Sequence, residues 1–265
     1  MNLDLTGKNA FVGGSSKGIG RAVAFELAKL GANVTLVGRD EPALMQGLID
    51  LSFIGKGEQR HDTLAVDFSN AEKVKSGVER HMKKTNKTFH ILVNNTGGPA
   101  SGKITEAVED DFVKAFESHL ICNHVLTKIF VDGMKKDGYG RIINIISTSV
   151  KQPLPNLGVS NTIRAAVANW SKTMANELGV FGITVNNVLP GATETDRLKQ
   201  ILENKSKKSD LSIDAVSEEM KSEIPMKRFG KPEEIAAAVA FLASPAASYI
   251  NGINVPVDGG RTSSL

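Results

Sequence analysis

Phe11-Val12-Gly13-Gly14-Ser15-Ser16-Lys17-Gly18-Ile19-Gly20-Arg21 decides how this chain folds. The apolar run Ala10 to Gly13 reads as a strand, and an amphipathic stretch, Ile19–Leu30, follows the glycines. A strand that breaks at a glycine-rich turn and enters a helix opens a βαβ unit. The glycines let the backbone turn tightly and lie close to a pyrophosphate. The helix start offers unpaired N–H groups and the positive end of a dipole to the same anion.

Outward from this turn the same rhythm repeats. Strand candidates are Val34 to Val37, Leu64 to Asp67, Ile91 to Asn94, Ile142 to Ser147, Thr184 to Leu189 and Ile253 to Val257. Between them lie helical stretches near Pro42–Ile54, Ala71–Lys84, Asp110–Lys136, Thr162–Leu178 and Pro232–Leu242. The expected fold is an α/β single-domain Rossmann-type doubly wound parallel sheet of about seven strands with helices on both faces, with ligands at the carboxyl ends of the strands. One polar, Lys-rich stretch, 196–224, interrupts the alternation and reads as a lid-like insertion.

The whole chain narrows the classes. Its 265 residues suffice for one sizeable domain, 1–265, and no linker-like stretch divides it. A hydrophobic fraction of 41% with 23% charged residues is that of a folded globular chain. A net charge of +3 gives no reason to expect nucleic acid. No apolar run is long enough for a membrane span, and the N-terminus lacks a secretory pattern. The single Cys122 cannot form an internal disulfide, so a reducing, cytoplasmic setting is expected. His119, Cys122 and His124 sit on one predicted helix without a completing carboxylate, so no metal is expected.

The end of the second strand, Gly38-Arg39-Asp40, bears on the cofactor. A carboxylate first after this strand binds ribose hydroxyls and repels a 2′-phosphate. Arg39 comes first here and Lys17 adds a second cation, which favours NADP (NADPH); Asp40 remains able to turn toward the ribose.

Gly14-x-x-x-Gly18-Ile19-Gly20, Asn94-Asn95-Thr96-Gly97, Pro190-Gly191 and Val257-Asp258-Gly259-Gly260 occur in an order that resembles the short-chain dehydrogenase/reductase family. Arg228-Phe229-Gly230-Lys231-Pro232-Glu233-Glu234-Ile235-Ala236 resembles its last-helix entry. The flavour is that of 3-oxoacyl-acyl-carrier-protein reductases. The resemblance implies cofactor contacts at Gly14, Ser16, Lys17, Gly18, Ile19, Gly20 and Arg39. Asp67 would hold the adenine amino group, with Phe68 beside it, Asn94 would stabilise the central strands, Thr96 and Gly97 would follow it in the fourth-strand turn, Pro190 and Gly191 would line the nicotinamide pocket, and Thr195 would reach the nicotinamide carboxamide or a phosphate. It also implies a homotetramer or homodimer formed through the long central helices, and a small-molecule carbonyl or thioester substrate. Gly13 and Thr96 stand where the family usually has Thr and Ala.

The same resemblance implies hydride transfer assisted by Ser, Tyr, Lys and Asn. Aligned by spacing, those positions are Ser147, Ser160, Arg164 and His119, so only the first keeps its usual residue. Ser160 and Arg164 share a helix face, and Arg164 can anchor the ribose, but a guanidinium does not pass on a proton. A Ser side chain is shorter than Tyr by roughly 4 Å and is a far weaker acid than a phenol of pKa about 10.

Three expectations follow. Either another group supplies the proton, His119 first and Lys151 second. Or the hydride goes to a substrate that water can protonate, such as a quinone or an activated double bond. Or the chain is a catalytically inert NADP(H)-binding sensor or partner subunit. Lid residues Lys199, Lys205, Lys207 and Lys208 form a basic face that either stays solvated or receives an acidic carrier protein or phosphorylated thioester.

Overall fold

The computed structural model describes residues 1–55 and 57–264. Their seven strands are β1 (Asn9–Val12), β2 (Asn33–Gly38), β3 (Asp62–Ala65), β4 (Ile91–Asn94), β5 (Gly140–Ile145), β6 (Ile183–Pro190) and β7 (Asn254–Val257). All pair in parallel, in the order β3-β2-β1-β4-β5-β6-β7. The order reverses between β1 and β4, and the crevice beyond their carboxyl ends is where an open α/β sheet receives a ligand.

The pleat explains why these runs are almost continuously apolar. Ala10 and Val12 face one core with Val93, Ile143 and Val188, while Phe11 between them faces the other with Leu92, Ile142 and Val185. The first core is closed by α1 (Gly18–Lys29), α2 (Glu41–Ser52) and α9 (Pro232–Ala243). The second is closed by α3 (Ala71–Thr85), α5 (Cys122–Asp137) and α6 (Gly158–Leu178). At its centre Phe11, Phe89 and Phe130 pack with ring centroids 4.8–5.5 Å apart.

Two strands sit earlier than the sequence indicates. β3 ends at Ala65 because its pairing with β2 stops at Gly38, which leaves Asp67 beyond the sheet. β5 begins at Gly140 and stops at Ile145, so Ser147 lies in the turn that follows. The predicted helix 110–136 is also not uniform. α4 (Glu109–Phe116) passes through a π turn, Glu117–Ile121, into α5. Such a turn rotates the side chains it carries relative to a regular helix, and His119 is one of them.

The insertion folds as two helices, α7 (Asp196–Ser209) and α8 (Ile213–Ser222). Leu198, Val216, Met220, Ile224 and Phe229 give it a small apolar core of its own. No helix among the described residues is long and apolar enough to cross a membrane.

Candidate active site

The glycine turn is built for close approach. Asn95 donates from Nδ2 to the carbonyls of Gly13 and Gly14, at 3.1 and 3.3 Å, fastening the turn to β4. A Cβ on Gly20 would stand 2.2 Å from the Gly14 carbonyl oxygen, and Gly14 and Gly18 have φ of +57° and +58°. Ser15 ties the turn to β2 by accepting from Val37 N at 2.7 Å. No side chain caps α1 and no acidic residue stands in its first turn. The first N–H groups of α1 therefore have no side-chain acceptor, which suits an anion. Asn95 is a contributor that the sequence reading quoted without assigning it a task.

Several expected cofactor residues make contacts within the protein. Lys17 Nζ pairs with Asp196 Oδ2 at 2.7 Å on the surface, linking the glycine turn to the lid. Phe68 is buried and packs under the turn, its ring 3.3 Å from where a Gly13 Cβ would lie, so its side chain supports the loop and does not face a ligand. Asn94 ties the central strands together, the role expected of it: its Nδ2 donates to Asn144 Oδ1 at 2.8 Å, between β4 and β5. Thr195 leans over Gly18 and caps α7, accepting from Leu198 N at 3.4 Å.

The remaining residues border the crevice. Ser16 approaches Gly38 at the end of β2, Ile19 packs onto the first core, and Gly97 has open space where a side chain would be. Arg39 and Asp67 are exposed; Asp67 accepts from Ser69 N, and this bond, aided by Arg39 and Lys73, holds its carboxyl below the usual range. Asp40 caps α2 through Ala43 N at 3.1 Å, so its carboxylate is engaged at the helix and not turned to a ribose.

A cavity of about 600 Å³ lies between the sheet ends and the lid. Ser147, Pro190 and Gly191 line it, with Leu154, Leu157, Leu198, Ile201 and Met220 as its apolar wall. Ser147 Oγ accepts from Ser149 N at 3.1 Å, which leaves its O–H free to donate into the cavity. The proline segment and the β4 turn close one side together, joined by Gly102 N donating to the Asn156 carbonyl at 2.8 Å. Ser160 lies in the first turn of α6, half-buried, outside the cavity lining and without a hydrogen bond from its hydroxyl.

Arg164 and His119 are buried behind this floor. Arg164 donates from Nη1 to the Ile145 carbonyl at 2.9 Å. Burial, and after it the charge of Arg197, lowers its pKa to about 10, so it stays a cation at neutral pH. His119 shares a 2.7 Å hydrogen bond with Thr96 through Nδ1. Burial first and Arg164 second push its pKa down to about 2. The ring is neutral at physiological pH, which removes it as an imidazolium acid, the role expected of it. Cys122 points elsewhere, its thiol donating to the Phe68 carbonyl at 3.2 Å.

Fold, glycine turn and cavity together define a nucleotide-dependent oxidoreductase of the doubly wound class. The chain belongs to the short-chain dehydrogenase/reductase family: the family described as Enoyl-(Acyl carrier protein) reductase matches residues 14–262. It is 33% identical over 258 residues to the NADPH-dependent reductase BacG of Bacillus subtilis, covering 97% of this chain and 99% of that one. It is 36% identical over 263 residues to the 3-oxoacyl-[acyl-carrier-protein] reductase FabG of Vibrio cholerae, covering 97% and 98%. Among solved structures, L-sorbose reductase of Gluconobacter frateurii, complexed with NADPH and L-sorbose, superposes with a TM-score of 0.93 at 33% identity over the full length of both chains.

Proposed function

We propose that this protein is an NADP(H)-dependent oxidoreductase that moves a hydride between the nicotinamide and a carbonyl or alcohol carbon of a small molecule. The observation that carries this reading is the placement of Ser147 with Pro190 and Gly191 in one cavity beyond the carboxyl end of β5, at the same end of the parallel sheet as the uncapped, glycine-rich start of α1 that follows β1. The glycine turn, Arg39 and Arg164 would hold the cofactor, which supplies the hydride. Ser147 donates to the substrate oxygen. Arg164, fixed as a cation, stabilises negative charge that develops there and steadies the ribose. With Ser160 off the cavity and His119 neutral, the proton comes from water.

The names of the relatives make 3-oxoacyl thioesters the first substrates to try. A homodimer or homotetramer is part of the same reading, supported by exposed Val113 and Phe116 on α4. A second reading, an inert NADP(H)-binding sensor or partner subunit, is favoured by the missing acid at Ser160.

The test is NADPH oxidation against a carbonyl panel led by an acetoacetyl thioester, with NADPH binding measured in the same tube. The enzyme reading expects turnover that Ser147→Ala lowers at least 100-fold while NADPH affinity holds. Binding without turnover across the panel would transfer the conclusion to the sensor.

A further inference from the structure

One face of α7 runs along the cavity. Leu198, Ile201, Lys205 and Lys208 all line it, and their helical spacing puts them on one stripe. Lys199 and Lys207 stand off that stripe and do not line it. The cavity therefore follows the helix from its first turn to its last, roughly 15 Å between Leu198 and Lys208. The stripe is apolar over its first half, where Leu198 and Ile201 join the apolar wall, and cationic over its second.

The first turn of α7 is pinned at the cofactor end. Asp196 pairs with Lys17, Arg197 donates to the Pro99 carbonyl at 2.7 Å, and Thr195 Cγ2 lies 3.4 Å from where a Gly18 Cβ would stand. The helix then carries Lys208 roughly 20 Å from Thr195. A lysine side chain extends only roughly 6 Å, so this end of the stripe is out of reach of a pyrophosphate at the glycine turn. Among the described residues the ion pairs of the lid are Lys17–Asp196, Lys221–Glu218 and Arg261–Glu223. Lys205 and Lys208 belong to none of them. Glu223, the one carboxylate lining the cavity, is held by Arg261 at 2.5 Å. The outer half of the stripe thus presents two cations that no carboxylate of the cavity compensates.

We propose that Lys205 and Lys208 receive a carboxylate at the far end of the substrate, so that the site selects oxo acids in which an apolar chain separates the reacting carbonyl from the carboxylate. The proposal rests on the reductase reading above. Leu154, Leu157, Leu198, Ile201 and Met220 match a hydrocarbon chain in the interval, not an amide-bearing arm that would need partners for its polar groups. Both lysines are exposed, so water and salt screen them and the preference they give is moderate. In the reaction, hydride from NADPH forms the new C–H bond and the C=O π pair moves to oxygen. That oxygen takes one proton from water, leaving a hydroxy acid, NADP⁺ and hydroxide. The carboxylate takes no part in these bond changes, so Lys205 and Lys208 are specificity residues and not catalytic ones.

The experiment is calorimetric titration of the NADP⁺-saturated protein, at low ionic strength, with octanoate and with its neutral isostere octanamide. The acid is expected to bind about 5-fold more tightly or better. Lys205→Met with Lys208→Met should erase that preference and leave octanamide and NADP⁺ affinities within about twofold. Lys199→Met with Lys207→Met makes the same change in net charge off the stripe and should keep the preference. With NADPH, 8-oxooctanoate should exceed octanal in kcat/KM by a similar factor, through KM. Equal binding of acid and amide, or no binding of either, overturns the proposal. So does an equal loss in the two double variants, since the preference would then come from the overall charge. Lysine-dependent binding of pantetheine 4′-phosphate in place of octanoate also overturns it, because the anion would then be the phosphate of a thioester arm. A protein that prefers octanoate yet binds no NADP⁺ or reduces neither compound sinks the reductase reading instead and leaves the cation stripe standing.

Discussion

Thr96 Oγ1 and His119 Nδ1 lie 2.7 Å apart, joining the β4 turn to the π turn between α4 and α5. The bond stands where the family's usual Ala and Asn would be, and it holds a histidine that burial and Arg164 keep neutral. The pH consequence has a definite sign. The unfolded ring titrates near 6.5 and the folded one at about 2, so the unfolded chain binds the extra proton between those values. Stability from this residue is complete above pH 6.5 and falls as the pH drops. At pH 4.5 the loss is about 2–3 kcal/mol relative to pH 7.5. His61 and His90 are lowered too, so the check is a comparison. Urea unfolding of wild type and His119→Asn at both pH values should show the variant losing less by that amount. Equal losses would mean that the ring is protonated in the fold.

A second relationship crosses the sheet. Asn94, Asn144, Asn187 and Asn254 occupy adjacent register positions on β4, β5, β6 and β7. Their amides hydrogen-bond in series at 2.8, 3.0 and 2.8 Å, with Ser171 of α6 joined at Asn144. Asn144 is fully buried. Asn144→Ala leaves Asn94 Nδ2 without its acceptor, whereas Asn187 Oδ1 still accepts from Ser171 Oγ at 2.8 Å and Ser171 still donates to the Val167 carbonyl; one buried orphan costs about 1–3 kcal/mol. We expect destabilisation of about 1–3 kcal/mol, read as a lower urea midpoint at unchanged slope. A loss below about 1 kcal/mol would mean that water replaces the missing amide.

This ladder marks how far the sequence is legible. The alternation of strands and helices depends on local period, so seven strands and the lid can be read from residues alone. Register between parallel strands joined by long crossovers has no local signal, and four asparagines spread from 94 to 254 look unrelated until the strands are aligned. The same limit applies at the site. The spacing of Ser147, Ser160 and Arg164 is local, but Ser160 lying off the cavity depends on how the proline segment clips to Gly102. Lys17 illustrates it again. Its partner Asp196 is 179 residues away and belongs to the lid, so the ion pair of this cation with the lid has no local signal.

The cofactor reading turns on Arg39 and on the glycine turn, and the two separate experimentally. Asp40 is occupied at the α2 cap, and Arg39 is the exposed cation that directly follows β2. A charge-assisted contact to a 2′-phosphate is worth about 1.5–3 kcal/mol, so Arg39→Ala should weaken NADPH roughly 10- to 100-fold and leave NADH unchanged. Gly20→Ala should weaken both nucleotides, since its Cβ would lie 2.2 Å from the Gly14 carbonyl oxygen and the turn must open. Fluorescence titration with each nucleotide checks both. Equal losses of NADPH and NADH in Arg39→Ala would place the 2′-phosphate elsewhere.

The remaining question is whether the proton donor limits turnover, and the site allows a direct answer. Ser160 is half-buried in the first turn of α6 and its hydroxyl bonds to nothing, so its replacement breaks no hydrogen bond of that side chain. Arg164 would lose only the bond from Nη1 to the Ile145 carbonyl. Ser160→Tyr with Arg164→Lys supplies a phenol about 4 Å longer than the Ser side chain and an ammonium beside it to lower the phenol pKa. If proton delivery from water limits the native reaction, the double variant should raise kcat on a carbonyl substrate by about 100-fold, within the usual range for a placed general acid. The gain should need both changes, because a phenol without its neighbouring cation titrates too high and a cation without the phenol has no proton to direct. An unchanged kcat in a folded, NADPH-binding double variant would mean that the hydride step, with the charge held by Ser147 and Arg164, already sets the rate without an acid.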